Sequence, residues 1–216
     1  MINNNNIWIY YEYNNNNISR IEYMRNYNSI INDIVNDSRI TDNIKDIFNE
    51  DFFLLKDKIN FKYPNGEGFK SHQDITAGWH KYSKDPITVA ILLDESTIEN
   101  GCLQIWDNDD NIITDQLTDD FIDITNEISD KYYKNIIGQP GDIIVFDAYI
   151  PHKSDLNKSN KKRRILYLTY SRKSDGDNYE KYHLDKFKNN PPDKYKVKNK
   201  KYRSGNTFDM RLFNHI

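Results

Sequence analysis

Leu55-Lys-Asp-Lys-Ile-Asn-Phe-Lys-Tyr-Pro-Asn-Gly-Glu-Gly-Phe69 is the stretch whose reading decides the fold class of this chain. Lys56, Lys58, Asn60 and Lys62 alternate with Asp57, Ile59, Phe61 and Tyr63. That period of two sends successive side chains to opposite faces of a strand. Pro64-Asn-Gly-Glu-Gly68 then supplies a turn. Further strands are predicted at 87–93, 102–106, 143–146 and 165–170, the third of these entered from Pro140-Gly141. Short strands separated by turns predict a mainly β protein, a sandwich or jelly roll.

Outward from that core the patterns change. Between Ile18 and Glu50, Ile30, Ile31, Ile34 and Val35, then Ile44, Ile47 and Phe48, recur at loose helical spacing. One or two helices are expected there, with Thr41-Asp42 as a helix start. The runs Asn3 to Asn6 and Asn14 to Asn17 are low complexity. Residues 1–20 are therefore expected to be weakly structured, and 21–216 to form a single domain. Towards the other end, Asp177 to Phe187 reads as a charged helix that ends before Pro191-Pro192, and Lys194 to Arg203 as a solvated tail.

The 216 residues are 37% hydrophobic and 29% charged, enough to bury a core. A formal net charge of -3 argues against a general nucleic-acid or membrane-surface binder. No apolar run approaches the ~20 residues that cross a bilayer. No basic segment leads into an apolar one near residue 1, so no signal peptide is visible. A lone cysteine, Cys102, fits a reducing compartment. The expected setting is cytoplasmic, with no nucleic acid or membrane as partner.

Chemistry concentrates in His72-Gln-Asp74, His152 and Arg163. Two imidazoles and one carboxylate are the ligand set of a non-heme Fe(II) site with an open face. On a strand, His72 and Asp74 at i and i+2 share a side, and a strand ending near Pro151-His152 can deliver the third ligand. Arginine is the side chain for a bidentate grip on a carboxylate, here the far end of 2-oxoglutarate. Ser154 shares the face of His152 and can add a hydroxyl. Arg164 is the alternative to Arg163, since alternation lets only one of them point inward. A second copy of the motif, His183-Leu-Asp185, falls on the charged helix and reads as a solvated coincidence. The face carrying Lys56, Lys58, Asn60 and Lys62 is either a lysine-guarded edge or a cationic wall facing an anionic ligand. Trp79 and Arg172 are further substrate-binding candidates, Trp79 as apolar wall and Arg172 as an anion contact. Two other readings use the same residues: a Zn-dependent hydrolase with an open water position, and a jelly-roll binding module without catalysis.

At these residues the chain resembles the phytanoyl-CoA dioxygenase family of Fe(II)/2-oxoglutarate oxygenases, and within it the branch like 2-aminoethylphosphonate dioxygenase. The likeness runs from about Ile44 to about Asp193. It is carried by Leu55 to Phe69, His72-Gln-Asp74, Ala77-Gly-Trp79, Glu99-Asn-Gly-Cys-Leu103, Pro140-Gly-Asp142, Pro151-His152, Arg163 to Tyr170 and Asp175-Gly-Asp177. It implies a mainly β double-stranded β-helix, jelly-roll or cupin-like, with N-terminal and flanking helices. It further implies iron on His72, Asp74 and His152, and 2-oxoglutarate held by Arg163. The implied reaction is dioxygen-dependent hydroxylation of a small molecule, an aminophosphonate being one possibility, with release of succinate and CO2. The retained Asp74 argues against a halogenase, which needs that position vacated for halide. Gln104-Ile-Trp106 departs from the family's usual Gly-Ser-His run, and Ser171 stands where the phosphonate branch tends to have asparagine.

Overall fold

A computed structural model describes residues 7–12, 16–107 and 129–197. Among these residues ten strands form two antiparallel sheets. The spine of the larger sheet pairs β3 (Phe52–Lys62) with β10 (Arg163–Arg172), from Arg163 opposite Lys62 to Arg172 opposite Phe52. On one side of this spine lie β2 (Ile18–Glu22) and β1 (Trp8–Tyr11), and on the other β5 (Ile87–Leu92) and β8 (Ile143–Asp147). The smaller sheet has the order β4 (Phe69–His72), β9 (His152–Ser154), β6 (Leu103–Trp106), β7 (Tyr133–Ile136). Two facing antiparallel sheets with crossovers between them are the jelly-roll architecture expected.

β3 starts earlier than its period-two stretch indicates. The register steps by one between Thr169 and Tyr170, so Thr169 opposes Lys56 while Tyr170 opposes Leu54. Such a bulge reverses which face successive residues occupy. Beyond it Lys56, Lys58 and Asn60 line the space between the sheets, while Leu54 and Ile59 pack on the outer side with Leu166, Leu168 and Tyr170.

That outer side is covered by helices. α1 (Ser29–Val35) is capped by the Asn28 side chain, which accepts from the Ile31 N–H at 3.1 Å. α2 (Ser38–Phe48) is capped by Asp37, accepting from the Arg39 N–H at 2.9 Å. The helix therefore starts before Thr41, because Asp37 satisfies the first orphan amide. Its buried stripe of Ile40, Ile44 and Phe48 meets Leu54, Val89 and Leu168. α3 (Tyr179–Asn189) lies against β3 and sends the Tyr179 hydroxyl to the Asp57 carboxylate at 2.8 Å.

Of residues 1–20, expected to be weakly structured, those described carry β1 and the start of β2, which pair from Trp8 opposite Glu22 to Tyr11 opposite Ile18. Trp8 and Tyr10 are buried, and β2 pairs with β3 from Arg20 opposite Asn60 to Glu22 opposite Lys58. The asparagine runs flank these strands and hide their alternation. No helix among the described residues is long and apolar enough to cross a membrane.

Candidate metal centre and its cavity

His72 closes β4 and His152 opens β9, and the two are direct antiparallel partners. Their ring centroids are 4.0 Å apart. Asp74 does not continue the strand: it opens a short 3-10 turn, Asp74–Ala77. The turn is clamped by Ile75 N–H donating to the Ala148 carbonyl at 3.0 Å and Gln73 Nε2 donating to the Tyr149 carbonyl at 2.5 Å. Bent back in this way, Asp74 sets Oδ1 3.8 Å from His72 Nε2 and Oδ2 3.8 Å from His152 Nε2. Donor atoms of His72, Asp74 and His152 all lie within 4.8 Å of one another, and all three residues are buried.

Both imidazoles are oriented for a cation. Nδ1 of His72 is 2.8 Å from the Lys70 carbonyl, and Nδ1 of His152 is 3.0 Å from the Ile150 carbonyl. A carbonyl only accepts, so each Nδ1 donates its proton there and each Nε2 is turned to the side where Asp74 lies, free to offer a lone pair to a cation held between them. Burial, then the adjacent His152, lowers His72 to about 3, which keeps its ring neutral. Burial alone would raise Asp74, but His152 and Lys58 outweigh it and hold the carboxyl below its ordinary range. Two imidazole nitrogens and one carboxylate oxygen converging in a buried site suit a divalent first-row metal with positions left open.

The facing wall is cationic. Arg20, Lys56, Lys58 and Asn60 line the same cavity as His72, Asp74, His152 and Ser154, with Phe69, Leu103 and Tyr167 as apolar surface. Burial, reinforced by Lys58, lowers Lys56 to about 7. Its ammonium lies 4.8 Å from the centre of the Trp79 ring. Lys58 is likewise lowered by burial and lies 4.8 Å from the centre of the Tyr167 ring. Arg20 had no signal beyond the short alternation Ile18-Ser-Arg-Ile-Glu22. It pairs with Glu22 at 2.8 Å and stacks on Tyr10 at 4.4 Å.

Of the two arginines that open β10, Arg163 is buried and Arg164 is not. Arg163 Nη2 donates to the Gly101 carbonyl at 2.7 Å, with Nε 3.4 Å from the Asn100 carbonyl. It shares a strand face with Tyr167, which lines the cavity. Burial pulls its guanidinium below the usual range. Arg164 instead makes a two-pronged ion pair with Asp94, both contacts at 2.8 Å.

Three other residues sit elsewhere than expected. Arg172 is drawn from the cavity to Asp85 at 2.8 Å and to the Phe48 carbonyl and Glu50 at the helix edge, because β10 carries it past the end of the cavity. Trp79 is wholly buried among Leu55, Ile75 and Ala148, behind Lys56 rather than on the cavity surface. His183 is not solvated: the rings of Trp8, Tyr23 and Tyr179 enclose it at 5.3, 4.6 and 4.4 Å. Its partner Asp185 faces outward to Lys188, so the second motif does not converge.

Residues 4–165 match the family model described as phytanoyl-CoA dioxygenase (PhyH). The chain is 32% identical over 187 residues to a 2-aminoethylphosphonate dioxygenase from an uncultured bacterium, a match covering 87% of this chain and 71% of the relative. It is 34% identical over 177 residues to a methylphosphonate hydroxylase of Gimesia maris, covering 78% and 64%. The fold is similar to that of EctD from S. alaskensis, solved with 2-oxoglutarate and 5-hydroxyectoine, at a TM-score of 0.63 and 20% identity. That similarity covers 77% of this chain and 61% of the other, so the chain spans under two thirds of both the G. maris relative and the EctD chain.

Proposed function

We propose that this chain, which belongs to the phytanoyl-CoA dioxygenase family, is an Fe(II)- and 2-oxoglutarate-dependent dioxygenase that hydroxylates a small anionic molecule and releases succinate and CO2. The observation that carries the reading is the buried convergence of His72, Asp74 and His152 on one point. His72 and His152 would hold the iron through Nε2 and Asp74 through one carboxylate oxygen. Iron bound there supplies the redox chemistry that couples decarboxylation of a 2-oxo acid to C–H hydroxylation by dioxygen. The protein orients the reactants and excludes water.

Arg163 and Ser154 would receive the far carboxylate of 2-oxoglutarate. Arg163 supports this role because its bonds go to the Asn100 and Gly101 carbonyls, which leaves guanidinium donors for a carboxylate. A zinc hydrolase with the same triad has no use for a buried arginine there, and a binding module has no need of an intact triad. Lys56, Lys58 and Asn60, joined by Arg20, would hold an anionic substrate group on the wall opposite the metal. A phosphonate suits that wall, and both phosphonate-acting relatives point the same way. Trp79 would act behind Lys56 as its support. Because Arg20 belongs to the N-terminal hairpin, that hairpin counts as part of the oxygenase domain. The one cysteine, buried Cys102, accords with a reducing, cytoplasmic setting.

Anaerobic titration with Fe(II) and 2-oxoglutarate tests the reading. A visible charge-transfer band is expected, followed in air by succinate release in a screen of 2-aminoethylphosphonate, methylphosphonate, acyl thioesters and free amino acids. Metal bound without the band points to a hydrolase or a binder. The band together with succinate formed only from non-phosphonates keeps the enzyme class and discards the phosphonate.

A further inference from the structure

We propose that Lys62 is a positioning residue for the co-substrate, fixing the Ser154 hydroxyl as a hydrogen-bond donor to the far carboxylate of the 2-oxo acid. This rests on the oxygenase reading and extends it to a side chain beyond the metal ligands and Arg163.

Lys62 ends β3 and is buried, directly opposite Arg163. Its Nζ lies 2.7 Å from Ser154 Oγ, 2.5 Å from the Asp155 carbonyl and 3.2 Å from the Gly101 carbonyl. An ammonium has three N–H groups and no lone pair, so these three acceptors engage all of its donors. Lys62 therefore reaches a ligand through Ser154 rather than directly.

Ser154 Oγ also accepts from the Phe69 N–H at 3.3 Å. A hydroxyl has two acceptor positions and one hydrogen. With both positions occupied by Lys62 and Phe69, only the O–H remains to be used. Among the described residues it meets no acceptor, and Ser154 lines the cavity. The hydroxyl is thus left as a donor facing the ligand space, matched to a carboxylate that can only accept.

Gly101 ties this arrangement to Arg163, whose Nη2 donates to the same carbonyl that Lys62 reaches. A Cβ at Gly101 would fall 2.3 Å from the Asp155 carbonyl oxygen and 3.0 Å from Lys62 Nζ, and its φ of +68° already favours glycine. The close approach that lets one carbonyl orient both cations requires that residue. Without Lys62, an acceptor position on Ser154 opens and the hydroxyl can turn away.

Calorimetry of the Mn(II)-loaded protein with 2-oxoglutarate, and with 2-oxobutanoate, which lacks the far carboxylate, tests the proposal. Lys62→Met is expected to weaken 2-oxoglutarate binding about tenfold, leaving 2-oxobutanoate binding, metal affinity and the melting temperature of the metal-free protein near wild type. Ser154→Ala should cost a similar factor by itself, which keeps the idea testable if Lys62→Met folds poorly. In the Ser154→Ala background, Lys62→Met should add less than about twofold. Wild-type affinity in either single variant overturns the proposal. So does equal weakening for both 2-oxo acids, or a full tenfold loss from Lys62→Met after Ser154 is gone. If the wild-type protein itself binds no 2-oxoglutarate, the oxygenase reading fails and this inference with it.

Discussion

The wall that carries His72 and His152 is made by neighbours in the small sheet, whereas the facing wall collects Arg20, Lys56 and Lys58 from two strands of the large one. On the first wall each imidazole is aimed by a hydrogen bond to a carbonyl two residues away, Lys70 for His72 and Ile150 for His152. Short-range constraints of this kind are written into local sequence. On the second wall Arg20 pairs with Glu22 on its own strand, but the two lysines are held by remote partners: Trp79 behind Lys56 and Tyr167 beside Lys58. One wall is locally specified and rigid, suited to a metal. The other is assembled by topology, and burial lowers the pKa values of its two lysines, a penalty on their charge that an anion bound beside them would offset.

The harshest way to break this contrast is Asp74→Ala. Removing the one carboxylate of the proposed triad leaves two imidazoles, so succinate release should fall by at least about a thousandfold and metal affinity should fall with it. Substrate contacts across the cavity stay intact, so the loss should appear at every substrate concentration. Residual turnover within tenfold of wild type, measured with saturating iron, would remove Asp74 from the ligand set.

How far each wall was legible follows from the same distinction. His72, Asp74 and His152 could be read from spacing and from the turns around them, whereas alternation along one strand says only that one of Arg163 and Arg164 points inward. The choice rests on the Asn100 and Gly101 carbonyls that receive Arg163 and on Asp94, which holds Arg164. The conformation of Asp74 could not be read, since its 3-10 turn is imposed by Ala148 and Tyr149. Arg20 was missed because its strand lies between asparagine runs and gains its burial from β3. Arg172 was misplaced because nothing local indicates that Asp85 and Glu50 wait at the end of β10. His183 looked solvated within a charged helix, yet Trp8 and Tyr23, more than 150 residues earlier, enclose it. Burial supplied by distant segments leaves no periodic trace at the buried residue.

A smaller effect separates co-substrate from metal. Arg163→Ala should raise the KM for 2-oxoglutarate about a hundredfold while Fe(II) affinity stays within about twofold, since a charge-assisted bidentate contact contributes on the order of 3 kcal/mol. Arg164→Ala should leave both constants unchanged and lower only stability, through the loss of its half-exposed pair with Asp94. If the two variants behave the other way round, the inward face of β10 has been assigned to the wrong residues.

The mildest test turns on Lys56, and its sign can be worked out. Burial lowers its pKa from the usual 10.5 to about 7 in the folded protein. Below that value the group is cationic and attracts an anion; above it the charge is lost. Affinity for a sulfonate analogue, whose own charge is constant in this range, should therefore fall about tenfold between ~pH 6 and ~pH 8. Lys56→Met should abolish that slope and bind weakly throughout. The same shift has a stability consequence of opposite sense. Between the folded value near 7 and the unfolded value of 10.5, the unfolded chain holds the extra proton, so this group makes the fold more stable as pH rises through that window. Urea denaturation across it should show a rise in wild type that Lys56→Met flattens. An affinity slope that survives in Lys56→Met would assign the titration to another group and leave Lys58 and Arg20 as the anion contacts of that wall.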